Sequence, residues 1–308
     1  MSDKLIITIT VDSSAAYPGF KAMPPITDWA AVADENIRAV NAGASLVHHH
    51  GVHFLEDKIQ PDGRKLSKID FDGWQNLTDR IRSSVDPIIQ YGIASARVEA
   101  KIKLLEQQPD QMSFCFNPHD EFFQPDPAYP ANELYAIHPR DELEKFLTAC
   151  NEYGVKPDCE SFYTGAFWNF EYLRKKGLLP GKNWATMFLG WPGGAWTPPD
   201  VESLVNMVHH VPSDVVWSLS VMDPAHWKLL PVAIALGGHV RVGWEDYPYL
   251  PNGEPSRTNA ELVEVAVSMA RAMGREVASP KEAREIIGLP QRPKGPFRHG
   301  VNPFKVTA

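Results

Sequence analysis

Short β-branched and apolar runs alternate along the chain with stretches whose apolar residues recur every three or four positions. This alternation occurs eight times in succession. The runs 5–12, 45–52, 87–94, 111–117, 156–162, 184–191, 214–222 and 239–246 read as strands. Each is followed by a helical pattern, at 28–42, 71–85, 98–107, 141–153, 165–176, 201–210, 225–236 and 259–273. Helix starts carry their own signals. Thr197-Pro198-Pro199-Asp200 offers an N-cap threonine with proline in the first turn, and Asp223-Pro224 repeats the device. Thr258-x-x-Glu261 and Ser279-x-x-Glu282 have capping-box spacing, while Gly154, Gly237 and Gly274 stand where helices should stop. Eight consecutive βα units without a break in composition predict the α/β class and a single (β/α)8 TIM barrel spanning residues 1–289. A doubly wound sheet would want a Gly-x-Gly-x-x-Gly turn after the first strand, and Asp12-Ser13-Ser14-Ala15 is not one.

Two stretches fall outside the alternation. Residues 117–139 form a long loop after the fourth strand, rich in proline and aromatics, of the kind that serves as a lid or an interface arm. Residues 290–308 are proline-rich and basic, and read as a C-terminal arm.

Composition narrows the class. With 44% apolar and 22% charged residues, the 308-residue chain can fill one large core. Thirty basic and 38 acidic residues leave a net charge of −8, which disfavours nucleic-acid partners. The three cysteines, Cys115, Cys150 and Cys159, fit neither a disulfide framework nor a Cys-x-x-Cys site. The first residues lack the features of a signal peptide, and no apolar run approaches the ~18 residues of a membrane span. A cytoplasmic protein with reduced thiols and no membrane partner is expected.

In a barrel, chemistry gathers at the carboxyl ends of the strands. The second strand ends His48-His49-His50, and residues two apart on a strand share a face, so His48 and His50 can reach one metal. The eighth strand reads His239-Val240-Arg241-Val242-Gly243-Trp244-Glu245-Asp246. Here Arg241 and Glu245 share a parity, and a buried arginine demands an acidic partner. Glu245 would supply a third, oxygen ligand, and two histidines plus one carboxylate with an open position describe a catalytic zinc site, one ion per subunit. Asp246, oriented by Arg241, is placed to act as a general base. Glu160 on the fifth strand, Ser113 and Asn117 on the fourth, and the backbone of Gly193 in the turn Gly190-Trp191-Pro192-Gly193-Gly194 are the expected substrate contacts.

The segments Asn-Ala-Gly-Ala-Ser-Leu-Val-His-x-His (41–50), Phe-Leu-Gly-x-Pro-Gly-Gly (188–194) and Leu-Gly-Gly-His-Val-Arg-Val-Gly-x-Glu-Asp (236–246) resemble the β-keto acid cleavage enzymes. So do Thr-Asn-Ala-Glu-Leu-Val (258–263) and the run Gly274–Leu289. The resemblance implies a zinc-bearing barrel, a homotetramer, and condensation of acetyl-CoA with a 3-oxo acid, followed by cleavage to acetoacetate and a new acyl-CoA. It implies that His48, His50 and Glu245 hold zinc, that Arg241 orients the base Asp246, and that Glu160 is the strand-five glutamate. Ser113 stands where the family usually has threonine. The chain departs from the pattern at Asp12–Ala15, where a glutamate is expected, at Val52, where an arginine is expected, and at Gly92–Ser95, where Ser-Thr-Gly-Gly is expected. The metal set and base are retained while the substrate shell differs. A zinc hydrolase or retro-aldol lyase working without CoA is the alternative on the same residues, and an inactive binding barrel is a third reading.

Overall fold

A computed structural model describes residues 4–11, 17, 19–93, 96–191 and 194–291. The elements follow in the order β1 (Ile7–Thr10), α1 (Trp29–Ala42), β2 (Leu46–His49), β3 (His53–Ile59), β4 (Lys65–Ile69), α2 (Phe71–Ser84), β5 (Ile88–Tyr91) and α3 (Val98–Leu105). Then come β6 (Gln111–Cys115), β7 (His119–Phe123), β8 (Asn132–Ala136), α4 (Arg140–Tyr153), β9 (Lys156–Ser161), α5 (Gly165–Lys175), β10 (Asn183–Leu189) and α6 (Val201–His210). The chain continues through β11 (Val215–Val221), α7 (His226–Ala235), β12 (His239–Val242), α8 (Asn259–Ala272) and α9 (Pro280–Ile287). The strands β1, β2, β5, β6, β9, β10, β11 and β12 pair in parallel and close on themselves into the expected barrel.

Two hairpins interrupt the regular alternation. The antiparallel pair β3–β4 follows β2, and β7–β8 occupies the middle of the stretch read as a loop over 117–139. Their alternating polar pattern was masked by charges and prolines, and an antiparallel pair needs only one apolar face to form. The expected tail 290–308 lies outside the described residues beyond Gln291.

Local chemistry explains most helix boundaries. The side chains of Asp28, Asp70 and Asp200 accept hydrogen bonds from the amides of Ala31, Gly73 and Ser203 at 3.0, 2.9 and 2.7 Å. Each supplies an acceptor to a helix amide that has no partner within its helix. Asp200, rather than Thr197, is therefore the cap of α6; the Thr197 hydroxyl donates instead to the Phe162 carbonyl at 2.7 Å. Asp223 caps a preceding turn through the Ala225 amide at 2.8 Å, and α7 starts three residues later than the Asp-Pro pair. The Ser279/Glu282 capping box is present, whereas Thr258 accepts from the Glu261 amide and Glu261 returns to Arg257.

The barrel has an apolar floor and a polar mouth. Ile6, Leu46, Ile88 and Trp184 cluster at the amino ends of the strands and are sealed by Ala283 and Ile287 of α9. At the other end Cys115, Phe162, Phe188, Trp191, Trp196 and Met222 form a separate aromatic cluster. Between strands and helices runs the main core. Among the described residues no helix is long and apolar enough to cross a membrane.

Candidate active site

The site is built from β2, β12 and the turns that follow them. His48 lies on β2 and His50 one residue past its end, so strand alternation brings both rings to the same side with Nε2 atoms 3.3 Å apart. The His48 Nδ1 faces the side-chain oxygen of Gln90 on β5 at 2.6 Å, and the Gln90 amide donates in turn to Gln111 at 3.2 Å. That chain assigns the proton of His48 to Nδ1 and leaves the Nε2 lone pair facing into the site. Burial, and then the nearby Arg241 charge, hold the His48 pKa well below its ordinary value, so the ring is neutral. No side chain fits at Gly92, because a Cβ there would stand 2.3 Å from the His48 ring.

The carboxylates arrive by a different route from the one strand parity predicts. β12 ends at Val242, and Gly243 turns the chain with φ +141°. A Cβ at Gly243 would lie 1.9 Å from the Thr10 carbonyl oxygen, so only glycine allows the turn to pass this close to β1. The amides of Asp246 and Tyr247 both donate to the Gly243 carbonyl, at 3.1 and 3.0 Å, and the Asn259 side chain accepts from the Trp244 amide at 3.0 Å. In this turn Glu245 and Asp246, adjacent in sequence, both face Arg241. A continued strand would have pointed them to opposite sides.

Arg241 holds both acids. It donates to Asp246 through Nε at 3.0 and 3.1 Å and through a terminal nitrogen at 2.6 Å, and to Glu245 Oε1 at 2.9 Å. Burial disfavours the guanidinium charge, but the two carboxylates override it and raise the Arg241 pKa. Burial likewise pushes Asp246 upward and outweighs the arginine, leaving this carboxyl above the usual carboxylate range. For Glu245 the balance reverses: burial raises it, yet Arg241 and His50 together hold it well below the usual range. The other Glu245 oxygen accepts a short hydrogen bond from the Thr10 hydroxyl on β1.

His48, His50 and Glu245 each offer one donor atom, all within 4.8 Å of one another, and His50 Nε2 lies 3.1 Å from Glu245 Oε1. Two imidazole nitrogens and one carboxylate oxygen thus converge on one position, and a metal there would take the place of the proton that His50 shares with Glu245. The donor set fits zinc chemically, with three protein ligands of the kind a catalytic site uses.

The remaining expected contacts diverge. Glu160 lies on the rung level with Cys115 and Thr186 and accepts the Cys115 thiol proton at 3.1 Å. Ser113 sits one inward position deeper, opposite Asp158, away from the convergent groups. Asn117 is taken up by backbone: its oxygen accepts from the Phe162 amide at 3.1 Å and its nitrogen donates to Pro118 at 2.8 Å. Gly193 and the first-strand loop 12–16 lie outside the described residues. Thr10, Gln90 and Cys115 were missed from sequence. The legible signal was a glutamine in the otherwise apolar run Ile88–Tyr91, at the register of His48.

A closed parallel barrel with convergent titratable groups at the carboxyl ends of its strands defines an enzyme of the TIM-barrel class. The profile of the beta-keto acid cleavage enzyme family matches residues 4–289, so the chain belongs to that family and is an enzyme. It is 30% identical over 295 residues to the 3-keto-5-aminohexanoate cleavage enzyme of Acetoanaerobium sticklandii, covering 93% of this chain and 99% of that one. It is 26% identical over 308 residues to the 3-dehydrocarnitine:acetyl-CoA trimethylamine transferase of Rhizobium meliloti, covering 95% and 99%. In fold it is similar to the ternary complex of ObcA with a C4-CoA adduct and oxalate, with a TM-score of 0.67 at 17% identity over 87% of this chain and 68% of that one.

Proposed function

We propose that this enzyme condenses acetyl-CoA with a 3-oxo acid and splits the adduct into acetoacetate and a new acyl-CoA, with zinc held by His48, His50 and Glu245. The observation that carries the reading is the convergence of that donor set beside an Arg241-braced Asp246, in a chain of the β-keto acid cleavage family. When bound, zinc supplies Lewis-acid polarisation of the substrate's 3-keto oxygen. Asp246 takes a proton from the acetyl methyl group, a role suited to a buried carboxyl raised above its usual range. Arg241 holds that carboxylate in place through three contacts and compensates its charge until the proton arrives. Acetyl-CoA as co-substrate is supported by the family and by relatives named for acetyl-CoA-dependent transfer.

The acid's tail is assigned to the aromatic side of the mouth. Phe188 carries Arg241 over its ring at 4.8 Å and so connects the site to Phe162, Trp191 and Trp196. Of the other groups that would attract a cationic tail, Asp120 accepts the Ala195 amide at 2.8 Å, and Trp244 is buried with its indole nitrogen donating to Ser256 at 2.9 Å. The aromatic rings suit an apolar tail, and the same rings with the Asp120 and Glu160 carboxylates suit a cationic one. Tyr135 and Ile137, at the end of the β7–β8 hairpin, are 70% and 73% exposed, and Trp168 on α5 is 81% exposed. Surfaces of this kind favour burial against a second copy and support the homo-oligomer reading.

The test is acyl-CoA formation, followed by mass spectrometry, from zinc-loaded protein, acetyl-CoA and a panel of 3-oxo acids with apolar, cationic and anionic tails. Acetoacetate with a matching acyl-CoA is expected, better for apolar and cationic tails than for anionic ones. Cleavage without acetyl-CoA would replace this reading with the CoA-independent lyase.

A further inference from the structure

A second group of metal-ligating atoms converges beside the mouth, away from His48, His50 and Glu245. Cys115 closes β6, His119 opens β7 and His138 follows β8; all three are buried, with donor atoms within 4.8 Å of one another. Cys115 Sγ lies 3.9 Å from His119 Nε2, and His119 Nδ1 lies 3.2 Å from His138 Nε2. With zinc bonds of about 2.3 Å to sulfur and 2.0–2.1 Å to nitrogen, tetrahedral ligands stand roughly 3.4–3.6 Å apart. The Cys115–His119 pair is near that spacing, and because one ring gives one nitrogen to an ion, the third ligand is reached within the 4.8 Å grouping by a turn of the His119 or His138 ring. The His48–His50 nitrogens show a similar spacing, 3.3 Å. Glu121 Oε2, 3.7 Å from His119 Nε2, is a further oxygen donor within reach.

We propose that Cys115, His119 and His138 form a second metal site, for zinc or another thiophilic divalent ion, that clips the β7–β8 hairpin to the barrel mouth. The local backbone is shaped for it. His138 adopts φ 52°, a left-handed conformation that non-glycine residues seldom take, and this turns its ring back beneath the hairpin. His119 is held between two rings, parallel to Phe162 with centroids 4.7 Å apart and to His138 at 5.1 Å. Burial keeps the His138 imidazole neutral, as a ligand must be.

The surrounding charges favour a cation as well. The buried Lys101, with its ammonium 4.0 Å from the Phe114 ring centre, interacts with Cys115, Glu160 and Glu121. Lys101 also feels Glu142; a divalent ion would add positive charge to a pocket that holds one thiol and several carboxylates around a single lysine. On binding, the Sγ–H bond breaks and the Sγ–metal bond forms. The proton leaves through Glu160, which already accepts the thiol hydrogen bond, and no oxidation state changes.

The experiment is metal analysis of the full chain, with cobalt(II) exchanged for the native ion. Two ions per chain and a near-ultraviolet thiolate-to-cobalt charge-transfer band are expected; the His48/His50/Glu245 set contains no sulfur and cannot give that band. Cys115→Ser should abolish the band and remove one ion, and His138→Gln should weaken both. His48→Ala should remove the other ion and leave the band, which separates this site from the proposed catalytic one. One ion per chain with no sulfur band in the wild-type protein overturns the proposal, as does a band that survives Cys115→Ser.

Discussion

The two histidine clusters at the mouth differ in what carries them. His48, His50, Arg241 and Glu245 sit on β2 and β12 or on their immediate extensions. Thr10, Gln90, Gly92 and Gly243 from neighbouring strands and turns fix their rotamers and approach. Cys115 also sits on a barrel strand, but His119 lies on an inserted hairpin and His138 just past it; that hairpin has its own ladder and is tied to the turn after β10 through Asp120. Strand-borne groups are positioned by eight cooperative ladders. Hairpin-borne groups are positioned by one ladder, a few stacked rings and whatever links the hairpin to the barrel. Chemistry that needs its groups held within a fraction of an ångström belongs on the first kind of support, and a clip or specificity element can use the second.

The largest effect expected is from Asp246→Asn. Turnover should fall by about 10³-fold, within the range of a lost general base, while the metal content stays unchanged by elemental analysis. Retained activity would remove Asp246 from the base role and weaken the contrast between the clusters. Next is Gly92→Ala. Its methyl group would meet the His48 ring at 2.3 Å, and metal affinity should drop together with activity. Gln90→Leu, which deletes the acceptor for His48 Nδ1, should cost about 10–100-fold in metal affinity by competition with a chelator. Wild-type affinity in that variant would mean that the ring is held by packing alone.

A smaller effect is expected from acid. Burial lowers His49 and His239 to about 3, and His53 and His226 to about 4. Each unfolded histidine binds a proton below its ordinary pKa near 6.5 that the folded one refuses. The stability these neutral rings contribute is therefore present above about pH 6.5 and declines as the pH falls toward 3. Urea midpoints measured from pH 7 to pH 4 should fall steadily in metal-free protein, and less steeply for His239→Phe. A flat profile would show that these rings are not held neutral. The smallest effect is Ser279→Ala, which removes the cap of the helix sealing the floor and should cost about 1 kcal/mol in equilibrium unfolding. Unchanged activity in that variant would confirm that floor and mouth are energetically separate.

Periodicity made all eight βα units legible because each strand and helix buries one contiguous face in a single core. The pair His48/His50 was legible for the same reason: two residues apart on a strand is a statement about direction as well as sequence. Arg241 announced its acidic partners, since a buried guanidinium cannot stand alone. The hairpins are not legible, because charges fall on both faces of their short strands and leave no clean apolar alternation. The Asn117 side chain bonds the adjacent Pro118 carbonyl and the Phe162 amide, and only the second is brought near by the closed barrel.

The amino-acid sequence alone therefore determined the barrel, the strand that presents the two histidines and the presence of a braced acid pair, because these follow from local period and from the cost of burying charge. Tertiary structure decided that Glu245 and Asp246 turn to the same arginine, that Gln90 sets the His48 tautomer, and that residues 23 positions apart bring Cys115 and His138 together. The first depends on a glycine turn passing within contact of the β1 backbone, the second on the register of β2 with β5, and the third on the pairing of β7 with β8. Such distances are set by pairings between segments and not by any one segment.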